Sequence, residues 1–477
     1  MTDPKKNARS VALDALLEIF ERDGMSHLVL RRAFKAYPEL DRQQRAFIAR
    51  IVEGTVERRL ELDYVIDQFS HTPVPRLKPV IRGILRMSVY QLLYMDAVPD
   101  AAICNEAVKL AAKRGYVGLK GFVNGVLRNI AAKKDRISYP PESTPEGLSV
   151  RYSMPQWIVE GWTADYGTEA TRRMLPALLK ERPLIVHRSV SKEAEETVRE
   201  SLLSQGIEVK PHPYDRDAWI LQGAQRLEGV EAFDRGWIQV QDISSQLASR
   251  LAVRAMEAAR AEACKKAASG GTGCGLRILD VCAAPGGKSV YVADAAAAEG
   301  LDALVCARDI SEEKAERIRQ NKRRLGLDNL KAEVWDALIY DASWEGQADV
   351  LIADLPCSGL GIAARKGDIK YRMTRERQQE LIALQRRILS VIWRYVRPGG
   401  YLIYSTCTIH RGENEENFKW FLEEHPFHPV DISGWLPEAL GASSPETVKS
   451  GYMQLLPGIH DSDGFFLSAL KREGKAL

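Results

Sequence analysis

The chain has 477 residues, 45% of them hydrophobic and 27% charged, enough for two to four domains with full cores; a mini-protein, a disordered chain and a fibre are excluded. No apolar run reaches the roughly 18 residues of a membrane span, and the N-terminal MTDPKKNARS lacks a secretory apolar stretch, so a cytoplasmic protein that contacts no membrane is expected. The net charge of +3 hides an asymmetry. Residues 1–140 hold 24 Lys and Arg against 16 Asp and Glu, a net of +8, while the remainder holds 43 against 48, a net of −5. A localised basic excess of this kind is the footprint of a polyanion binder.

From about residue 6 to 132, apolar residues recur at helical spacing, as in ARSVALDALLEIFER, QQRAFIARIVEGTVERRLELDYVIDQF and PVIRGILRMSVYQLLYM, which predicts an all-helical domain over 1–140. The stretch EAVKLAAKRGYVGLKGFVNGVLRNI, Glu106 to Ile130, resembles the helical, RNA-binding fold of the antitermination factor NusB. ISYPPESTPEGLSV (137–150) has the composition of a loop or linker. After it, SMPQWIVEGWTADYG reads as an amphipathic helix, and IVHRSV, GIEVKPHP and AWILQG as short strands, giving a small mixed α/β module over 141–235.

From residue 236 apolar strands alternate with helices: LRILDVC, ALVCARDI, LKAEVWDA, ADVLIADLP, GYLIYSTCT and FFLSALKR. The alternation predicts a doubly wound, mostly parallel sheet over 236–477, an α/β fold whose ligands bind beyond the carboxyl ends of the strands. In front of it, ARAEACKKAASGGTGCG (259–275) runs from helix formers into a Gly/Ser/Thr stretch read as a flexible connection.

The residues after each strand carry the chemistry. The first strand runs into DVCAAPGGKS, where Pro285 and the pair Gly286-Gly287 form a tight turn open to close ligand approach. A nucleotide P-loop would need Gly at position 282, which is Cys282, and Pro285 removes a backbone donor from any phosphate cradle. Asp309 ends the second strand, placed to accept hydrogen bonds from ribose hydroxyls, and Asp336, after the third, is a candidate for an adenine amino group.

Seven cysteines (Cys104, Cys264, Cys274, Cys282, Cys306, Cys357, Cys407) form no C-x-x-C pair and have no His at ligand spacing, so neither disulfides nor a metal is expected. Cys264 and Cys274 receive no role. Cys357, in DLPCSGLG after the fourth strand, and Cys407, in STCTI after the fifth, both emerge at the ligand-facing edge.

At these motifs the sequence resembles the RNA cytosine-C5 methyltransferases of the Sun (Fmu) and NOL1/NOP2 family. The matching stretches are CAAPGGK (282–288), DLPCSG (354–359), TCTI (406–409) followed by ENEENF (413–418), DGFFLSALKR (463–472), and VQDISSQLAS (240–249) before the first strand. With the NusB-like beginning, the resemblance covers nearly the whole chain and implies a Rossmann-like methyltransferase sheet. It also implies S-adenosylmethionine as cofactor and 16S rRNA as partner, with a small-subunit cytosine that is single-stranded or flipped out as target. Cys282, Ala283, Ala284, Pro285, Gly286, Gly287, Lys288, Asp309, Asp336 and Asp354 are then the cofactor residues.

The resemblance assigns the nucleophile to Cys407 and adduct resolution to Cys357, with Asp354 at the cytosine N3/N4 edge. DNA cytosine methyltransferases place their nucleophile in a Pro-Cys motif, so the reversed order of thiols stays open. Lys288 is expected either to order the carboxylates or to start a helix in solvent. Arg365, Lys366 and Lys370 are expected to grip the RNA backbone, and a monomer is expected. A reading of another class is a non-catalytic, antitermination-like RNA-binding factor with a degenerate methyltransferase domain; both cysteines, the Gly pair and Asp309 argue against it.

Overall fold

The computed structural model describes residues 7–224, 226–268 and 275–474. They divide into two compact units, Met1–Lys180 with Ala363–Arg372, and Glu181–Ile362 with Met373–Leu477.

The first unit is helical. Helices Ala8–Glu21, Ser26–Ala36, Arg42–Glu57, Arg59–Phe69, Pro79–Tyr94, Asp100–Lys113 and Lys120–Lys133 bury the apolar faces seen in the sequence, with Leu13, Leu16, Ile48, Ile51, Leu62, Ile66 and Ile81 fully inside. Local signals start several of them: Asn7 accepts from Ser10 N at 2.9 Å, Asp41 and Gln44 form a capping box, and Pro79 opens its helix at the first turn. Helices Pro145–Arg151 and Gln156–Ala177 follow, the second bent at Gly167, where φ is +81°.

The short segment Ala363–Arg372 belongs to this helical unit. Asp368 accepts from Ser26 N at 3.1 Å and Ser26 Oγ at 3.0 Å, and the Tyr371 hydroxyl lies 2.9 Å from Ser153 Oγ. Lys370 is therefore not the RNA-gripping side chain expected of it. It is 2% exposed, and burial pushes its ammonium down to about 7 against the opposing pull of Glu57. Arg365 and Lys366 are exposed.

The second unit contains two sheets. Strands β1 (Leu184–Arg188), β2 (Glu208–His212), β3 (Asp215–Gln222) and β4 (Ile238–Val240) form an antiparallel sheet in the order β2-β3-β1-β4. Helix Glu195–Ser204 covers it through Val198 and Leu202, which pack with Val186 and the fully buried Trp219.

Helix Ile243–Ala268 leads to the larger sheet. The ARAEACKKAA part of the expected connection lies in this helix, whose Leu251, Ala255, Met256 and Ala259 sit in the core; residues 269–274, Cys274 among them, lie outside the described residues. The sheet contains β5 (Leu276–Asp280), β6 (Ala303–Asp309), β7 (Leu330–Val334), β8 (Ala348–Asp354), β9 (Val396–Thr406), β10 (Phe427–Pro429), β11 (Tyr452–Leu455) and β12 (Phe465–Arg472). Its order is β10-β12-β9-β8-β5-β6-β7, with β11 also on β12; β5 to β9 are parallel and β12 runs antiparallel to β9. All six strands read from the sequence are present; five are buried on both faces over most of their length, while β7, at the sheet edge, buries only Leu330.

A buried carboxylate joins the two sheets' elements. Asp294, on helix Gly287–Ala298, accepts from Ser189 Oγ at 2.6 Å, Ser191 Oγ at 2.5 Å and Val190 N at 2.8 Å, just after β1, and lies 3.5 Å from His187 Nε2. Burial opposes its charge, but His187 and the two serines outweigh that cost and hold the carboxyl at about 2. Since this lies below the unfolded value of 3.8, the stabilisation is complete above about pH 4 and is lost as pH falls toward 2. Asp294→Ala strips several buried donors of their acceptor and is expected to cost about 3 kcal/mol at neutral pH, with the acid-side pH dependence flattened, as read by urea unfolding between pH 3 and 7.

Candidate active site

The chain leaves β5 at Asp280 and turns through Cys282, Ala283, Ala284, Pro285 and Gly286 into helix Gly287–Ala298. Gly286 has φ +101°, a conformation L side chains avoid, and a Cβ there would come within 3.2 Å of Ile318 Cγ2. Bare backbone is thus required at the centre of the turn. One strand over, Asp309 is locked in place: Oδ2 accepts from Ala284 N at 2.9 Å, and Oδ1 accepts from Ile310 N at 2.8 Å and pairs with Lys314 Nζ at 2.9 Å. Asp336, two residues beyond β7, accepts from Leu338 N at 2.9 Å.

Two observations decide what fits this edge. Register pairs Asp309 with Val334, and the large apolar side chains at these strand ends, Ile310 and Val334, are 59% and 42% exposed. Apolar surface left in water beside an oriented carboxylate suits a nucleoside: a base against the aliphatic groups and a ribose diol on Asp309. The strand ends also present Asp280, Asp309, Asp336 and Asp354 against Lys288 and Lys314. Such an edge favours a cationic group over a triphosphate. Burial pushes the Asp280 carboxyl up to about 7, although Ser289 Oγ donates to it at 2.6 Å. The residues therefore fit S-adenosylmethionine, a nucleoside with a sulfonium.

Adjacent parallel strands β8 and β9 place Asp354 opposite Ser405. Ser405 Oγ donates to Asp354 Oδ1 at 2.8 Å, while Lys288 Nζ donates to Oδ2 at 2.6 Å and to Ser245 Oγ at 3.1 Å. Lys288 is buried and orders the carboxylate, the first of its two expected roles. Three residues past Asp354 and two past Ser405, Cys357 and Cys407 meet with their sulfurs 3.3 Å apart, both half-buried. The Cys407 sulfur, then burial, pushes the Cys357 thiol well above its ordinary value. Burial, then the charges of Asp280, Asp309 and Asp354, push the Cys282 thiol up too, so Cys282 contacts the turn as a neutral group.

A buried polar network holds the two cysteine loops together. Glu413 accepts from Ser358 N at 2.7 Å and Ser358 Oγ at 2.6 Å; the hydroxyls of Ser358 and Thr408 are 2.7 Å apart. Since Ser358 gives its proton to Glu413, Thr408 donates to Ser358. Gln385 bonds the carbonyl of Pro356 at 2.9 Å and reaches Glu413 at 3.4 Å, and Asn414 joins Thr406 Oγ1 to the Thr408 carbonyl. Burial raises the Glu413 carboxyl above the ordinary range, against four donors from Ser358, Gln378 and Gln385. On the other side, Gly464 N donates to Gly361 O at 2.9 Å and Gly361 N to Cys407 O at 3.2 Å. Ser245, Ser358, Ser405 and Glu413 all lie inside motifs quoted above without a role being read for them; their signal is a polar residue within two or three positions of a site residue, and only the fold supplies the partner.

Among the described residues no group of three His, Cys, Asp or Glu is placed to hold a metal ion, and no helix is long and apolar enough to cross a membrane. The sheet, the glycine turn and the acid-rich strand ends define a methyltransferase-type fold built for a nucleoside cofactor. Sequence comparison narrows the class. Residues 274–471 match the model of 16S rRNA methyltransferase RsmB/F, 6–132 that of the NusB family, and 154–228 that of the RsmF/B-like ferredoxin-like domain. The chain is 33% identical to the probable ribosomal RNA small subunit methyltransferase B of Bacillus subtilis, over 98% of this chain and all of that one. It is 29% identical to the Synechocystis protein so described, over 98% and 99% of the two chains. The crystal structure of PH0851 superposes with a TM-score of 0.74 at 23% identity, covering 99% of each chain, and NSun6 from Pyrococcus horikoshii with 0.53 at 18%, covering 68% and 99%. This chain belongs to the RsmB/F methyltransferase family, and its cofactor is S-adenosylmethionine.

A Cβ on Gly361 would lie 2.1 Å from Gly464 O and 2.9 Å from Cys407 O, both backbone atoms that give way poorly. Gly361→Ala is expected to displace the Cys357 loop from Cys407, lower kcat more than it raises KM, and cost about 1 to 3 kcal/mol in stability; steady-state kinetics and urea unfolding check this.

Proposed function

We propose that this chain methylates carbon 5 of a cytosine in 16S rRNA through a covalent adduct with Cys407. The carrying observation is the pair of sulfurs 3.3 Å apart at the ends of neighbouring parallel strands, beside an ordered carboxylate. One thiol would suffice for an inert packing role; two held in contact at the ligand edge call for chemistry that makes a sulfur bond and then breaks it.

Carbon 5 of cytosine is a weak nucleophile. Addition of the Cys407 thiolate to carbon 6 forms the S–C6 bond and moves the C5=C6 π electrons toward carbon 5. Asp354, held by Lys288 and Ser405, meets the N3/N4 edge, where its carboxylate accepts a hydrogen bond from the N4 amino group and orients the ring. The 282–288 turn, Asp309 and Asp336 would hold S-adenosylmethionine, whose sulfonium would supply the electrophilic methyl group. Loss of the carbon-5 proton then returns the electrons to the ring and expels Cys407.

Cys357 supports this order of thiols. While Cys407 carries the negative charge, its neighbour stays protonated and can donate to it. Once Cys407 is bonded to carbon 6, the sulfur that most suppresses ionisation of Cys357 no longer holds a charge, so Cys357 is released to take part in proton removal. In this reading residues 1–140 and 141–235 bind RNA, 236–477 carry out the transfer, and a flipped or single-stranded cytosine is needed for a thiol to reach carbon 6.

The test is transfer of labelled methyl to unmodified 16S rRNA, with trapping on 5-fluorocytosine RNA. Wild type is expected to make 5-methylcytosine. Cys407→Ala is expected to lose turnover by on the order of 10³-fold or more and to form no adduct, while Cys357→Ala accumulates one. Adduct formation by Cys407→Ala but not by Cys357→Ala reverses the thiols, and RNA binding without methyl transfer supports the binding-factor reading instead.

A further inference from the structure

The helical unit contains a cleft of about 540 Å³, made entirely of its own residues and unconnected to any step above. Its floor is Glu61, a carboxylate only 1% exposed. Arg58 Nη1 donates to it at 3.1 Å, the Tyr94 hydroxyl at 2.6 Å and the Tyr139 hydroxyl at 3.1 Å. Well-packed apolar residues in this space would often be as stabilising as a buried ionic network. The network instead fixes the cleft walls. Burial and the Glu61 charge push both phenols above their ordinary range, so they remain neutral.

The walls are layered. The Arg58 guanidinium lies 4.6 Å over the Tyr94 ring, and that of Arg151 4.8 Å over the Tyr139 ring. A guanidinium backed by a tyrosine offers its other face to a nucleobase, the stacking that unpaired RNA bases use. Lys134, which pairs with Asp100 at 3.2 Å, and the exposed Lys180 add two ammonium groups, so four cations line the cleft against the carboxylates of Glu61 and Glu142. The volume is that of a pocket for a small organic group, and the surrounding 1–140 segment is the basic part of the chain.

We infer that this cleft is a second RNA-binding site, which takes one unstacked nucleotide of the rRNA substrate, its base stacked on the Arg151 layer and its phosphates against Lys134 and Lys180. The inference rests on the rRNA reading above, but its test does not require methyl transfer. Arg151 pairs only loosely with Glu142, at 3.7 Å, and Lys180 is exposed, so both tolerate replacement.

The experiment measures binding of the full chain to unmodified 16S rRNA between 50 and about 200 mM salt, for wild type, Lys180→Gln and the Arg151→Gln/Lys180→Gln pair. The double variant is expected to bind roughly 10-fold more weakly or worse, and both variants to show the log–log salt slope reduced by about 0.7 through the lost Lys180 phosphate contact, the double variant losing further affinity from stacking. The melting temperature and kcat are expected to stay at wild-type values while KM rises. Ultraviolet cross-linking of wild type is expected to attach RNA to the peptide carrying Tyr94 or Tyr152. Unchanged affinity and slope in both variants, with no RNA on those peptides, overturns the proposal; so does cytidine monophosphate alone binding as tightly as the RNA. If wild type transfers no methyl yet the variants lose RNA binding, the catalytic reading fails and the cleft stands.

Discussion

Two sulfurs 3.3 Å apart in a half-buried site cannot both be thiolates, because like charges at that distance repel strongly where water is scarce. At most one of Cys357 and Cys407 can therefore be ionised at a time, and bonding at one sulfur changes what the other can do. Under the proposed mechanism the pair would have two chemical states without a conformational change: before bond formation Cys357 donates to its neighbour, and after it Cys357 is free to ionise. Cys282, a third thiol at the edge, is kept neutral by burial first and then by the nearby carboxylates of Asp280, Asp309 and Asp354.

The remaining architecture serves to bring those sulfurs together and keep them there. Parallel pairing of β8 with β9 sets Asp354 opposite Ser405, so a cysteine two or three residues further along each chain falls on the same edge. Strand ends alone leave the loops free to part. The Ser358–Glu413–Gln385 network closes one side, and the contact of Gly361 with Gly464 closes the other, with no room for a methyl group. Lys288 links the two halves of the site, since it belongs to the cofactor turn yet holds the carboxylate beside the thiols.

Much of this was legible in the sequence, for physical reasons that differ by element. β5, β6, β8, β9 and β12 are buried on both faces and read as continuous apolar runs, whereas β4, β10 and β11, at three or four residues, are too short to leave a pattern. The helix-forming residues that begin the 259–275 stretch continue helix Ile243–Ala268, whose packed face includes Leu251, Ala255 and Ala259. Glycines and cysteines of the site announced themselves by unusual chemistry at strand ends. Glu413 and Lys370 did not: Lys370 reads as an RNA-gripping cation and Glu413 carries no role, since their burial depends on partners far away in sequence.

The most direct measurement is the alkylation rate of each thiol as a function of pH, with iodoacetamide and peptide mass spectrometry, in wild type and in the Cys407→Ser variant. The account predicts that Cys407 is labelled first at neutral pH, that Cys357 is labelled only at markedly higher pH, and that Cys357 becomes more reactive when the neighbouring sulfur is removed. Preferential labelling of Cys357 in wild type, or no change in its reactivity in Cys407→Ser, would contradict this account of the thiol pair and the order of the two thiols with it.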